Sequence, residues 1–208
     1  MTSGAAEAIV ASGRHLDQKG LAHGTSGNIS VRIGDTVLVT PTNSRLGALT
    51  EKRLSQVDLD GVRLAGPPPS KEAPLHLKLY RGRPDVTAVV HLHSTYCVAI
   101  SCLLDLDSDD ALPALTAYSL MRLGRVALVP FHPPGSAALA DAVGIASFAN
   151  RAMLLANHGS LVAATSLEAA IADAEELEET AKLTLLLRGL PVRLVPNEQA
   201  AALRAGTP

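Results

Sequence analysis

The sequence is poor in aromatic residues and has no long apolar run. Aromatic residues make up 2% of its 208 positions, and tryptophan is absent. Apolar residues nevertheless reach 47%, which excludes a disordered chain and predicts a core of Ala, Val, Leu and Ile. No stretch approaches the ~20 apolar residues of a membrane span, and residues 1–13 lack the pattern of a secretion signal. We therefore expect a globular protein that does not contact membranes.

Cysteine and net charge are also scarce, which restricts the compartment and the partners. The chain has 18 basic and 20 acidic residues, for a net charge of -2. Such a balance provides no basic surface for nucleic acid or anionic lipid. Its two cysteines, Cys97 and Cys102, are most simply small core residues rather than a disulfide framework. We expect a cytoplasmic protein without a nucleic-acid partner.

Hydrophobic periodicity and turn residues predict helices and strands throughout the chain. Helices are predicted over about 5–19, 70–81, 113–123, 137–149 and 165–188. Strands are predicted over 29–31, 36–40, 86–93, 126–130, 152–156 and 161–164. The proline-rich connector 66–69 is too short to separate independent domains. The mixture predicts one α/β domain over residues 1–208.

Two helix starts and one helix face are predicted in more detail. Ser70 is expected to cap the second helix. Thr165 and Glu168 match the pattern of a capping box at the start of the last helix. Four glutamates of that helix lie largely off its apolar stripe and predict a solvated face: Glu175, Glu176, Glu178 and Glu179.

His91 and His93 are spaced as metal ligands on one strand. Alternate residues of a strand face the same side, so both imidazoles would face one point beside the sheet. Each buried imidazole needs a polar partner, which favours ligation over core packing. His158, in a turn with Gly159, would complete a set of three imidazoles with an open position, which is typical of catalytic zinc. The alternative is that His91 and His93 are ordinary polar residues at a strand end.

Two other segments carry groups that could complete a site. The loop 24–28, Gly-Thr-Ser-Gly-Asn, offers N–H groups for an anion, although it matches neither a Walker loop nor a dinucleotide fingerprint. Glu72 falls in the first turn of a predicted helix, where the helix dipole stabilises a carboxylate. Alone, the loop is simply a turn and Glu72 a helix-start residue. Either gains a function only if it faces the histidines.

Five motifs in a fixed order resemble one enzyme family. They are GTSGN at 24–28, TPT at 40–42, SKE at 70–72, HLH at 91–93 and NHG at 157–159. Each motif is weak alone, but together, over residues 5–190, they resemble the class II aldolase/adducin family. Four longer motifs are similar to those of the 3-oxo-tetronate 4-phosphate decarboxylases: PSKE at 69–72, HLHST at 91–95, LANHG at 155–159 and EELEETAK at 175–182.

The resemblance implies a fold, an assembly and a set of site residues. It implies a three-layer α/β/α sandwich with a central, mainly antiparallel sheet, and a homotetramer with active sites between subunits. One Zn²⁺ per subunit would be bound by His91, His93 and His158. Glu72 would accept and donate the proton, and Tyr118 would reach a neighbouring subunit's site. The substrate phosphate would be bound by Thr25, Asn28, Thr42, Asn43, Ser70 and Lys71.

Two of these positions depart from the aldolases that the chain resembles. Lys71 stands where they have serine, and Asn43 where they have glycine. The added charge of Lys71 favours a substrate with one more anionic group. A solvent-facing lysine at a helix start is the alternative interpretation.

The predicted reaction is decarboxylation of 3-oxo-tetronate 4-phosphate to dihydroxyacetone phosphate. A ketone polarised by a metal ion accepts the electron pair that carbon dioxide leaves behind, and Glu72 would protonate the resulting enediolate. A sugar-phosphate aldolase of the fuculose-phosphate type is the nearest alternative, and an epimerase or dehydratase fits less well. A non-catalytic interaction domain, as in adducin, is the alternative from another class. The three histidines and Glu72 argue against it.

Overall fold

The structure, a computed structural model, describes residues 2–206. Its helices are α1 (Thr2–Gln18), α2 (Ala73–Gly82), α3 (Thr95–Ser101), α4 (Ala117–Leu123), α5 (Ala137–Ala146), α6 (Leu167–Leu186) and α7 (Asn197–Ala205). Its strands are β1 (Asn28–Ile33), β2 (Thr36–Val39), β3 (Ser55–Asp58), β4 (Arg63–Ala65), β5 (Ala88–Leu92), β6 (Val126–Val129), β7 (Ala152–Leu155) and β8 (Gly159–Ala164). Short 3-10 turns lie at Leu46–Ala48 and Glu51–Arg53.

The strands form one eight-stranded sheet in the order β4-β3-β2-β1-β5-β8-β7-β6. Every neighbouring pair is antiparallel except β6 and β7. Two pairs of consecutive strands form hairpins: β1 pairs with β2, and β7 with β8. Strand β5 lies between β1 and β8 in the middle of the sheet, so its residues are covered on both faces. The expectation of a mainly antiparallel sheet is confirmed.

Alternation along the strands divides the core into two layers. Val90 and its same-face neighbours pack with α1, α3 and α6, whereas Val89 and the opposite face pack with α2 and α5. Leucine, valine and alanine fill both layers, as the low aromatic content predicted. The expected α/β/α sandwich is confirmed. No helix within residues 2–206 is long and apolar enough to cross a membrane.

Three helix starts differ from the prediction, and at two of them a neighbouring polar side chain caps the helix. Helix α6 is capped by Ser166, whose side chain accepts from the Ala169 N–H, and not by Thr165. Helix α4 begins four residues later than predicted and is capped by Thr116. Helix α2 begins at Ala73, with Pro74 in its first turn, and Ser70 Oγ accepts instead from the Glu72 N–H at 3.2 Å.

The glutamate face of α6 is only partly solvated. Glu178 is buried and accepts hydrogen bonds from Ser94 Oγ at 2.6 Å and from the N–H groups of Tyr96 and Cys97 at 2.9 Å each. The prediction of a solvated Glu178 is therefore wrong. This carboxylate is the acceptor for the N-terminus of α3, directly after His93, and so it anchors one edge of the histidine cluster to α6.

Candidate active site

Two central strands bring the three histidines to the same end of the sheet. His91 and His93 lie at the end of β5, and His158 lies immediately before β8, which pairs with β5. The pairing is close beside His158, because a Cβ on Gly159 would lie 2.2 Å from the Leu92 carbonyl oxygen. Only glycine allows that approach. The β5–β8 register thus sets the separation of His158 from His93.

The three imidazoles face one another around a common centre with Glu72. Their ring centroids are 4.7–4.8 Å apart, and the Nε2 atoms of His91 and His93 are 2.9 Å apart. One oxygen of Glu72 lies 3.2 Å from His91 Nε2, and the other lies 3.0 Å from His158 Nε2. One ligand atom from each of the four residues lies within 4.8 Å of all the others.

The hydrogen bonding of these side chains fits a bound cation. His91 Nδ1 lies 2.7 Å from the Ser160 carbonyl oxygen, which can only accept, so Nδ1 carries the proton and neutral Nε2 presents a lone pair to the centre. Glu72 Oε1 and His158 Nε2 have no hydrogen-bond partner among the described residues, although both are buried. Buried acceptors without donors are unfavourable unless a cation satisfies them. Three imidazoles and a carboxylate suit Zn²⁺ and related divalent ions.

The electrostatic environment holds the ligands in the forms that bind a metal. Burial, followed by the neighbouring imidazoles of His91 and His158, lowers the pKa of His93 to about 3, so it stays neutral. Burial raises the pKa of Glu72, but the neighbouring imidazoles of His91 and His158 outweigh it and hold that pKa well below its ordinary range. Glu72 is therefore a carboxylate at neutral pH.

Behind Glu72 a chain of buried polar side chains runs along α2. Asn28 Nδ2 donates to Glu72 Oε2 at 2.9 Å, and Asn28 Oδ1 lies 2.6 Å from His76 Nε2. His76 Nδ1 lies 2.7 Å from Ser30 Oγ, which is 2.7 Å from the Tyr80 hydroxyl. His76 and Tyr80 are each 1% exposed. His76 is a buried histidine with a partner on each ring nitrogen, and it stands outside the ligand cluster.

The predicted phosphate-binding residues come from three loops at this end of the sheet. Thr25 precedes β1, and Asn28 is the first residue of β1, where it is paired with His91 of β5. The loop after β2, with Thr42 and Asn43, packs on the segment before α2, which holds Ser70 and Lys71. The contacts are the Thr42 N–H to the Pro68 carbonyl and the Ser70 N–H to the Thr40 carbonyl, at 3.2 and 3.0 Å. The loops therefore lie beside the histidines, where a phosphate could be bound.

The two positions that depart from the aldolases have different physical settings. Asn43 has φ of 54°, a left-handed conformation that glycine adopts freely and that asparagine tolerates better than most residues. Asparagine can therefore replace glycine without altering this turn. Lys71 is exposed immediately before Glu72, so its ammonium group is free to reach an anion at the loops.

Tyr118 is not brought into this cluster. It is 54% exposed on α4 and lines a cleft of about 700 Å³ with Asp85 and Thr165, near the start of β5 and the end of β8. The histidines lie at the opposite ends of those two strands. Its described ring contact is Arg122, whose Cζ is 5.8 Å from the ring centroid. Tyr118 could therefore act only on the site of another subunit, and its role remains a prediction.

Sequence reasoning missed two supports of the site. The Ser160 carbonyl that orients His91 is a backbone group and gives no sequence signal. Glu178 did give a sequence signal, because it lies four residues after Ala174 and three before Ala181 and therefore falls on the apolar stripe of α6. A carboxylate in that position is expected to have a buried partner.

Comparison with known proteins agrees with this geometry. The sequence profile of the class II aldolase and adducin N-terminal domain matches residues 7–185. The chain belongs to the class II aldolase and adducin family. A 3-oxo-tetronate 4-phosphate decarboxylase of Haemophilus influenzae is 44% identical over 194 residues, which cover 93% of this chain and 92% of that protein. The enzyme of the same name from Escherichia coli K12 is 47% identical over 189 residues, or 90% of this chain and 89% of that protein.

Solved structures of the family show the same fold. YgbL of Escherichia coli, described as an aldolase/epimerase/decarboxylase, superposes with a TM-score of 0.95 at 43% identity, covering 98% of this chain and 99% of that one. An L-fuculose 1-phosphate aldolase superposes with a TM-score of 0.87 at 30% identity, covering 98% and 95%. The relatives are carbon–carbon lyases, both decarboxylases and aldolases. The expected family and fold are confirmed.

Proposed function

We propose that this protein is a metal-dependent decarboxylase that converts 3-oxo-tetronate 4-phosphate to dihydroxyacetone phosphate and carbon dioxide. The observation that carries the proposal is the cluster of His91, His93, His158 and Glu72 with buried, unpaired ligand atoms. The 44–47% identity to decarboxylases of that name supports the substrate.

His91, His93 and His158 would hold the metal, which we propose to be one Zn²⁺ per subunit, and Glu72 could contact it before substrate binds. A divalent cation bound there supplies Lewis-acid polarisation of a carbonyl oxygen. The Ser160 carbonyl fixes the tautomer of His91, and the Glu178 contacts to residues 94–97 hold the chain segment after His93. The site is therefore preorganised by the chain itself.

Glu72 would handle the proton of the reaction. Its low pKa makes the resting group a carboxylate, so it must take up a proton before it can give one to the substrate carbon from which carbon dioxide departs. Asn28 holds Oε2 by a hydrogen bond, which leaves Oε1 directed to the centre of the cluster. Proton transfer would therefore use Oε1.

The surrounding loops would bind the two anionic ends of the substrate. Thr25, Asn28, Thr42, Asn43 and Ser70 would bind the phosphate through hydroxyl, amide and backbone N–H groups. Lys71, exposed beside them, adds a positive charge that an aldolase substrate does not need. We assign it to the additional negative charge of the substrate.

We further propose a cytoplasmic homotetramer in which Tyr118 acts on a neighbouring subunit. The free cysteines Cys97 and Cys102 suit a reducing compartment. Mixing subunits tests the shared site: Glu72→Gln and Tyr118→Phe homo-oligomers should each be weakly active, and unfolding and refolding them together should restore activity. If Tyr118 acts within its own subunit or not at all, mixing would restore nothing.

The deciding experiment is a product assay on the metal-loaded enzyme. With 3-oxo-tetronate 4-phosphate we expect equimolar carbon dioxide and dihydroxyacetone phosphate, removal of activity by a chelator, and recovery with Zn²⁺. Glu72→Gln should retain metal but lose turnover by about 100-fold or more, whereas the exposed control Glu179→Gln should not. An aldehyde product from L-fuculose 1-phosphate, without carbon dioxide from the keto acid, would instead establish an aldolase, the second candidate that the fold supports.

A further inference from the structure

The buried side chains behind Glu72 form a single directed chain of hydrogen bonds. It runs from Tyr80 through Ser30, His76 and Asn28 to the Glu72 carboxylate, with successive distances of 2.7, 2.7, 2.6 and 2.9 Å. Its four members other than Glu72 are 0–3% exposed, so bulk water does not compete for their donors and acceptors. Each group must therefore find its partner within the chain.

The direction of every hydrogen bond follows from the carboxylate. An ionised Glu72 only accepts, so Asn28 must present its amide nitrogen to Glu72 and its oxygen Oδ1 to His76. His76 must then carry its proton on Nε2. Burial, with a smaller contribution from His91, lowers its pKa to about 3, so the ring is neutral and Nδ1 is an acceptor.

The remaining donors agree with this assignment. Since Nδ1 of His76 accepts, the Ser30 hydroxyl donates to it. The Tyr80 hydroxyl donates its one proton towards Ser30, whose Oγ and carbonyl oxygen lie 2.7 and 3.0 Å from it. With the opposite tautomer of His76, the Asn28 amide would have to turn round, and its oxygen would face the carboxylate.

We infer that His76 is a positioning residue for the proton-transfer carboxylate. By donating from Nε2 to Asn28 Oδ1, it fixes the orientation of the Asn28 amide and thereby the position of Glu72. His76 does not reach the metal ligands or the substrate. The inference rests on the proposed role of Glu72, and it assigns to the second turn of α2 a function beyond packing.

Three substitutions at His76 separate positioning from packing. His76→Gln keeps an amide donor that can reach Asn28, His76→Asn is polar but too short to reach it, and His76→Leu removes the donor and preserves the volume. We expect kcat to fall about tenfold or more in His76→Leu and His76→Asn, with a smaller change in KM, because Asn28 is the one proposed phosphate-binding residue that contacts His76 among the described hydrogen bonds. His76→Gln should recover most of kcat.

Tyr80→Phe is the matched control. It removes a buried hydroxyl from the far end of the same chain but leaves the His76–Asn28 contact in place. We expect it to lower the melting temperature while kcat stays within about twofold of wild type. If Tyr80→Phe and His76→Leu reduce kcat equally, or if His76→Gln is as inactive as His76→Leu, the residue only packs and the inference is wrong.

Crystal structures of the metal-free variants provide a measurement that is independent of turnover. We expect one position of the Glu72 carboxylate, bonded to Asn28, in wild type and His76→Gln. In His76→Leu and His76→Asn it should be displaced from Asn28, and an undisplaced carboxylate in both would overturn the inference. If the wild-type enzyme does not release carbon dioxide from the keto acid, the proposed function fails, and the carboxylate position still decides the role of His76.

Discussion

Glu178 offers a direct test of how the histidine cluster is held. This carboxylate on α6 is 7% exposed and accepts from Ser94 Oγ and from two backbone N–H groups at the start of α3. The substitution Glu178→Gln preserves its size but replaces one oxygen by an NH₂ group. The single oxygen of the glutamine amide can replace only one of the two carboxylate oxygens as an acceptor. At least one buried N–H group therefore loses its acceptor.

The expected loss of stability is the sum of two effects. Replacing a charged acceptor by a neutral one weakens each remaining hydrogen bond by about 1 kcal/mol, and a buried donor without a partner costs about 1–3 kcal/mol. We therefore expect the free energy of unfolding to fall by about 3 kcal/mol, which corresponds to roughly 6–12 °C in melting temperature for a chain of this length. Since Ser94 follows His93, cation affinity should fall as well.

Urea unfolding of the metal-free protein, at constant protein concentration, measures this loss. The control is Glu179→Gln, which changes the next residue of the same helix, whose side chain is 57% exposed and 3.6 Å from Lys182. The control should remain within about 0.5 kcal/mol of wild type. If Glu178→Gln also stays within about 0.5 kcal/mol of wild type, the contacts of Glu178 to the start of α3 do not stabilise the fold, and the reasoning above is wrong.

Two further predictions concern His76 and Lys71. Burial lowers the pKa of native His76 from 6.5 to about 3, so between these values the unfolded chain binds a proton that the native protein does not, and stability falls as the pH drops. In metal-free protein, His76→Gln should reduce the pH dependence of the free energy of unfolding by up to about 1.4 kcal/mol per pH unit, measured by urea unfolding from pH 4 to 6. An unchanged pH dependence would show that native His76 is already protonated in this range. Lys71→Met should raise KM for the keto acid about tenfold, the loss of one charge-assisted contact, with the melting temperature unchanged because the side chain is exposed. An unchanged KM would remove Lys71 from substrate binding.

The order of most helices and strands was predictable, because hydrophobic periodicity and turn residues within each segment indicate its secondary structure. Every predicted helix and strand has a counterpart, whereas β3, β4, α3 and α7 were not predicted. Strands β3 and β4 are short and lie at the sheet edge, and α3 begins directly after a strand, so none has a long apolar period. Their positions depend on pairing and packing between distant segments.

The side chains that form the cluster were predictable, and the groups that support them were not. The motif at 91–93 and the turn at 157–159 mark chemistry by residue type, so the sequence alone could indicate a metal site. The Asn28–His76 contact joins residues 48 positions apart, and the Glu178 contacts join residues up to 84 apart. Such pairs depend on the register of β1 with β5 and on the packing of α6, which local patterns do not encode.

The pairing of β5 with β8 also determines when the cation site can form. Leu92 of β5 and Ser160 of β8 are partners in this pairing, although they are 68 positions apart in the sequence. His93 follows Leu92 in the chain, and His158 lies two residues before Ser160. A nascent chain still lacking residues 158–164 can present two imidazoles but cannot close the centre of the sheet. We therefore expect a divalent ion to bind at this centre only after most of the polypeptide has left the ribosome.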